Sequence, residues 1–307
     1  MLTGIHILLT YQCTNECEHC FLHCGPGRSG TFTLEKLRRL IADIGNLPSV
    51  RTVYFEGGEA FLFYPILLEG LHLVRAAGLD AGIVTNGYWA SSLDDAIHWL
   101  RPILEAGIAD FSVSDDEFHR HDQHDRRAET AYQAATRLGM PCDKICIEAP
   151  GLAAPDISCK GKPVIGGGVR FRGRAAEKLT ADLPLRPRRQ LTSCPYEDLL
   201  NPERVHVDAY GNVHLCQGLS IGNMWAAPLS ELLREYDGNK HPITGPLIRG
   251  GPAQLVQEFG LELETAVDEC HLCYGARKAL LDKFPQYLAP PELYGLQAAN
   301  SSAAPSC

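Results

Sequence analysis

Three cysteines near the N-terminus, Cys13, Cys17 and Cys20, lie in the run Cys13-Thr14-Asn15-Glu16-Cys17-Glu18-His19-Cys20. Three thiolates at this Cx3CxxC spacing can hold three irons of a cubane [4Fe–4S] cluster and leave the fourth iron open, whereas fully ligated electron-transfer clusters usually take four cysteines. Closely spaced cysteines also build zinc sites and disulfide frameworks. A second set lies towards the other end of the chain: Cys194, Cys216 and the CxxC pair Cys270 and Cys273. Four cysteines suit an additional [4Fe–4S] cluster or a structural zinc. The others, Cys24, Cys142, Cys146, Cys159 and Cys307, read by default as small buried apolar side chains. Cys24, so close to the triplet, is the one to test as a ligand or hydrogen donor.

The elements that must position these residues alternate between two periodicities. Runs 4–11, 52–56, 81–85, 110–114 and 144–148 read as strands. Between them, 34–45, 66–77, 93–106 and 128–138 carry helical spacing, the first with Thr33 as N-cap and the second stopped by Gly78. Strands alternating with helices of this length specify parallel βαβ units. With a sixth strand at 163–171, the fold class is α/β, a partial (β/α)6 barrel, with a doubly wound sheet as the alternative. In such barrels chemistry collects where strands end, and the cysteine triplet follows the first strand. The pattern changes after about Leu191. Runs 205–207 and 213–215 flank Asp208-Ala209-Tyr210-Gly211-Asn212 and read as a β-hairpin. Helical stretches follow at 229–236, 253–259 and 276–284. The expected domains are therefore 1–190, a barrel; 191–290, a small α+β unit carrying the second cysteine set; and 291–307, a tail whose small polar end reads as disordered.

Other strand ends also carry polar residues. Gly57-Gly58-Glu59 ends the second strand, and two glycines let a backbone approach another group closely. Asn86 ends the third. In the fourth, period-two alternation puts Ser112 and Ser114 on one face, with Asp115 following. Glu148 and Cys146 share a face at the fifth. Arg170 or Arg174, in a glycine-rich run, could meet a carboxylate. The segment holding Asp115, Asp116, His119, His121, His124 and Asp125 matches no zinc spacing and competes between a substrate contact and an exposed polar loop.

Taken together, Cys13, Cys17, Cys20, Phe21 after the last of them, and Gly57-Gly58-Glu59 resemble the radical S-adenosylmethionine (radical SAM) superfamily. The resemblance implies that the open iron binds SAM through its amine and carboxylate, and that one electron cleaves SAM to methionine and a 5′-deoxyadenosyl radical. That radical abstracts hydrogen from a substrate. It implies that Gly57, Gly58 and Glu59 contact the SAM amine and that Ser112, Ser114 and Asp115, with Asn86 as a weaker candidate, stand at the ribose position. Arg170 is carried as a further cofactor-contact candidate. The order of Cys194, Gly211, Cys216, Cys270 and Cys273, with Gly222-Asn223-Met224, is similar to the shortened SPASM domain called twitch. That similarity implies one auxiliary [4Fe–4S] cluster, with Cys194 the least secure ligand because its interval to Gly211 is long.

Bulk properties narrow the partners. The chain has 307 residues, 45% hydrophobic and 21% charged, and a formal net charge of −9. An acidic chain of this kind is a poor binder of nucleic acid or anionic membrane. No secretory signal or membrane-length apolar run is seen, so clustered cysteines read as metal ligands in a reducing, cytoplasmic setting. The expected partners are a peptide or amino-acid-like substrate and an electron donor such as flavodoxin or ferredoxin. A small-molecule dehydrogenase and a non-catalytic two-cluster electron-transfer protein are the alternatives. A zinc protein with an unrelated N-terminal site is a third.

Overall fold

The computed structural model describes residues 1–153 and 164–296. In chain order the N-terminal part comprises β1 (Gly4–Thr10), α1 (Leu34–Ile44), β2 (Thr52–Gly57), α2 (Tyr64–Ala76), β3 (Asp80–Thr85), α3 (Leu93–Glu105), β4 (Asp110–Ser114), α4 (Arg127–Arg137) and β5 (Cys142–Ile145). Then come β6 (Leu152–Ala153), β7 (Val164–Ile165), α5 (Arg174–Lys178), β8 (Arg186–Pro187), β9 (Arg204–Asp208), β10 (Asn212–Cys216) and β11 (Leu219–Asn223). The chain continues through α6 (Leu229–Glu235), α7 (Thr244–Glu258), β12 (Thr265–Ala266) and α8 (Glu269–Ala279).

Local chemistry sets the boundaries. Thr33 caps α1 by accepting from the Lys36 N–H, and Ser92 caps α3 by accepting from Asp95. Leu37, Leu40, Ile41 and Ile44 recur at helical spacing and bury one stripe of α1. On the strands, Ile5, Ile7, Val53, Phe55, Ile83, Phe111 and Val113 are fully buried. Phe55 packs so tightly on α2 that a Cβ on Gly70 would come within 2.7 Å of its ring. The alternate residues face the other way. There Tyr54 crosses over Gly82 and donates its hydroxyl to Asp110 Oδ2 at 2.9 Å.

One sheet runs β11-β10-β9-β1-β2-β3-β4-β5. The six strands from β9 to β5 are parallel, and β10 and β11 extend the sheet antiparallel. The fold is thus α/β with a six-stranded parallel core, but the sixth strand is not where the sequence places it. Among the described residues of 163–171 only Val164–Ile165 is a strand, and it pairs with β6 outside the main sheet. Its place is taken by β9, which lies on the other side of β1 with Ile5 opposite Val205 and Ile7 opposite Val207. The expected hairpin at Gly211 forms between β9 and β10. Gly211 has φ +92°, and a Cβ there would meet the Trp225 ring at 2.3 Å. The predicted end at 298–307 lies outside the described residues.

Helix α8 also starts earlier than expected. Asp268 caps it by accepting from the His271 N–H, so Cys270 and Cys273 sit in its first turns. Helix α7 is broken inside by Gly250 and Gly251, ahead of Pro252. No helix among the described residues is long and apolar enough to cross a membrane.

Candidate active site

The cysteine triplet lies on the loop that leaves β1, and backbone bonds hold that loop in place. The Cys13 N–H donates to Gly25 O at 3.2 Å, and the Cys20 N–H to Cys17 O at 3.1 Å. Arg174, at the start of α5, clamps the loop from the far side. Its Nη1 and Nη2 donate to the Cys17 and Cys24 carbonyls, each at 2.7 Å. Arg174 therefore meets backbone carbonyls where the sequence reading offered it a carboxylate.

Gly57 and Gly58 pack against the same exit of β1. Gly58 N–H donates to Thr10 O at 2.7 Å and Glu59 N–H to Gln12 O at 2.9 Å. A Cβ on Gly58 would sit 2.0 Å from Gln12 O, and one on Gly57 2.5 Å from Thr10 O. The close approach that these glycines permit is to the backbone bearing the cysteines. Glu59 is 1% exposed. Its Oε1 accepts from the Phe61 N–H at 3.0 Å and the Thr85 hydroxyl at 2.8 Å, and its Oε2 from the Asn86 N–H at 2.8 Å. Burial pushes its carboxyl upward against those three hydrogen bonds. Glu59 thus ties the end of β2 to the end of β3. Asn86, so fixed, donates Nδ2 to Thr14 Oγ1 at 3.1 Å and to Cys13 Sγ at 3.6 Å.

These strand ends surround one cavity of about 340 Å³. Cys13, Cys17, Cys20, Gly57, Gly58, Asn86, Ser114 and Arg170 all border it. Three candidates do not. Glu59 is committed as described, and Ser112, although buried, is not part of the wall. Asp115 turns away to pair with Arg120 at 2.8 Å and Lys144 at 2.9 Å. Arg170 does line the cavity, and its guanidinium stacks 3.1 Å from the Tyr196 ring centre.

Thiol acidity differs across the triplet. Burial, against a hydrogen bond from the Asn15 N–H, pushes Cys13 up to about 12. A hydrogen bond from Cys24, against burial, brings Cys20 down to about 6. Cys24 itself is buried, borders the cavity and is driven well above the usual thiol range, first by burial and then by Cys20. Cys17 is hydrogen-bonded by His119, whose Nδ1 lies 2.7 Å from Asp116 Oδ1. Against its own burial, those partners raise His119 to about 10. Asp116 and His119 thus border the cavity, whereas His121 and His124 are exposed.

Sequence reasoning missed a polar group on the cavity floor. Glu56 Oε1 lies 3.3 Å from His6 Nδ1 and 3.2 Å from His206 Nε2, on adjacent strands β2, β1 and β9. Despite burial, the two imidazoles hold its carboxyl below the usual range, while burial lowers His206 to about 4. The available signal was alternation: His6 stands between Ile5 and Ile7, and Glu56 follows Phe55.

The second set converges as well. Cys194, Cys216, Cys270 and Cys273 border one small cavity with Arg172 and Arg277. Cys194 comes from the loop before β9, Cys216 from the end of β10 and the pair from α8. Because β9 pairs with β1, both cysteine sets are anchored to one sheet. Cys146 is exposed, Cys142 starts β5, and Cys159 and Cys307 lie outside the described residues.

The donor sets fit iron–sulfur ligation: soft thiols from one loop facing a roomy cavity, and four thiols facing buried guanidinium groups. Comparison with known proteins bears on the first of these sets. Residues 7–142 match the family model described as the radical SAM superfamily. YydG of Bacillus subtilis (strain 168), provisionally named a peptide biosynthesis protein, is 24% identical over 115 residues, which are 38% of this chain. The match spans only 36% of that relative's length. The solved structure of BtrN in complex with AdoMet and 2-DOIA superposes with a TM-score of 0.51 at 15% identity, over 77% of this chain and 83% of that one. That likeness extends the shared fold beyond the family match. Through residues 7–142, this chain is therefore similar to the radical SAM superfamily.

Proposed function

We propose that the protein modifies a peptide or amino-acid-like substrate by radical SAM chemistry, with a second iron–sulfur cluster assisting oxidation or anchoring the substrate. The observation that carries this reading is the single cavity onto which the Cx3CxxC thiols, Gly57, Gly58, Asn86 and Ser114 all open. Cys13, Cys17 and Cys20 would hold the [4Fe–4S] cluster, and Cys194, Cys216, Cys270 and Cys273 the auxiliary one. When bound, the first cluster and SAM together supply a carbon-centred radical that abstracts hydrogen.

The chain's own residues do the positioning. Arg174 and the Gly58–Thr10 bond hold the cysteine loop. Glu59 fixes Asn86, which with Ser114 offers polar contacts for a ribose. Arg170, steadied on Tyr196, stands at the cavity edge where a substrate carboxylate could dock. The peptide assignment rests on the provisional name of the matched relative.

The test is reductive SAM cleavage. Anaerobically reconstituted protein with dithionite and SAM should form 5′-deoxyadenosine, and Cys17→Ala should not. Protein that loads iron yet leaves SAM intact under every reductant supports an electron-transfer role instead.

A further inference from the structure

Two arginines are buried against the C-terminal cysteines. Arg172 is 8% exposed and Arg277 only 1%. Arg172 Nη1 donates to Cys216 Sγ at 2.8 Å. Arg277, one helical turn after Cys273, donates Nη1 to Gln217 O at 2.9 Å and also hydrogen-bonds the Cys273 thiol. The Nε–H of each is shut away from water with no acceptor.

A buried guanidinium costs several kcal/mol unless an anion compensates it. Two carboxylates border this cavity, and Glu269 is paired with Arg186 at 3.3 Å. Glu197 lies 3.8 Å from Arg172 and is shared with Arg204 at 3.2 Å. Arg277 makes no salt bridge among the described residues, and its strongest side-chain neighbours are Tyr294, Cys273, Cys216 and Cys270. Arg172 likewise faces Cys216 and Cys270 before Glu197. Two cations thus converge on four thiols, and protonated thiols would leave them uncompensated. A four-thiolate [4Fe–4S] cluster is a dianion when oxidised and a trianion when reduced. Cations and N–H donors at its sulfurs favour the reduced form, and in a buried site salt screens them little.

We propose that Arg172 and Arg277 are positioning residues that raise the reduction potential of the cluster held by Cys194, Cys216, Cys270 and Cys273. This inference rests on the auxiliary cluster of the preceding section. It assigns the two charges a redox role that a purely structural zinc site would not use.

The test uses the reconstituted 307-residue chain, with anaerobic redox titration followed by electron paramagnetic resonance. At the wild-type midpoint, Arg172→Gln and Arg277→Gln should each shift the oxidised-to-reduced ratio of the second cluster at least tenfold towards oxidised, about 59 mV for one electron. The N-terminal cluster should keep its midpoint. Arg172→Lys, which keeps the charge, should move the midpoint by less than half as much. Full iron content with an unmoved midpoint in both Gln variants overturns the inference alone. Should the Gln variants lose the second cluster, Arg172→Lys decides: a near-native midpoint supports the charge role, and a full tenfold shift overturns it. Zinc at the second site, with only about four irons per chain, overturns both the auxiliary cluster and the inference.

Discussion

Replacing Glu59 with alanine separates two roles for the Gly-Gly-Glu segment. Family resemblance makes Glu59 a contact for the SAM amine, whereas its surroundings make it an internal brace. Its carboxylate accepts from Phe61, Thr85 and Asn86 at 3.0, 2.8 and 2.8 Å. Removing it orphans the Phe61 N–H and the Thr85 hydroxyl in a dry place, while water can reach half-buried Asn86. Each buried orphan costs about 1–3 kcal/mol. Relief of the carboxyl's own unfavourable burial returns part of that, leaving a loss of about 2–4 kcal/mol. For a chain of this size that lowers the melting temperature by roughly 3–6 °C. The assay is thermal or urea denaturation of the cluster-free protein, so that no cofactor contributes. Glu59→Gln should lose less, since its amide oxygen still accepts for two donors and only the bond from the Asn86 N–H is lost. An alanine variant that melts with the wild type yet fails to bind SAM would refute the brace and make the carboxylate a ligand group.

Three further outcomes follow from the same geometry. Gly58→Ala places a Cβ 2.0 Å from Gln12 O, so the cysteine loop must shift; iron retained by the N-terminal site should fall to less than half, read by iron analysis of a chain lacking the second cysteine set. Arg174→Ala removes two 2.7 Å bonds to the Cys17 and Cys24 carbonyls and should slow SAM cleavage at least tenfold, whereas Arg120→Ala, at the exposed pair with Asp115, should change it little. His241 Nδ1 accepts from the Ile243 and Thr244 N–H groups at 3.2 Å each, and its Nε2 faces Ser220 O at 3.1 Å. Burial lowers its pKa, so the unfolded chain takes up a proton first as pH falls through the ordinary histidine range. Stability from this group is therefore present at neutral pH and lost below it, and His241→Gln should flatten the fall in melting temperature between pH 7.5 and about 5.

Much of the frame was legible in the chain. Thr33 marks a helix start, and the alternation of Ile5, Ile7, Val53 and Phe55 marks strands, because these signals are local. The sixth strand was not legible in its place. The pairing of β9 with β1 joins residues about 200 positions apart, and no local pattern encodes which edge a strand will join. The Cx3CxxC triplet and the four later cysteines announced themselves by type and spacing. The commitment of Glu59 did not, because it depends on Thr85 and Asn86 arriving from the next strand. Arg172 and Arg277 escaped for a related reason: arginine ordinarily reads as surface, and only the fold shows these two buried among thiols.

The central claim is two distinct clusters in one chain, with SAM at the N-terminal one. Electron paramagnetic resonance of two reduced, reconstituted variants tests it most directly. With Cys194, Cys216, Cys270 and Cys273 replaced by alanine, about four irons should remain, and SAM should alter the cluster's signal. With Cys13, Cys17 and Cys20 replaced instead, the remaining cluster should ignore SAM. A signal that responds to SAM only in the second variant, or to SAM in neither, would contradict the account.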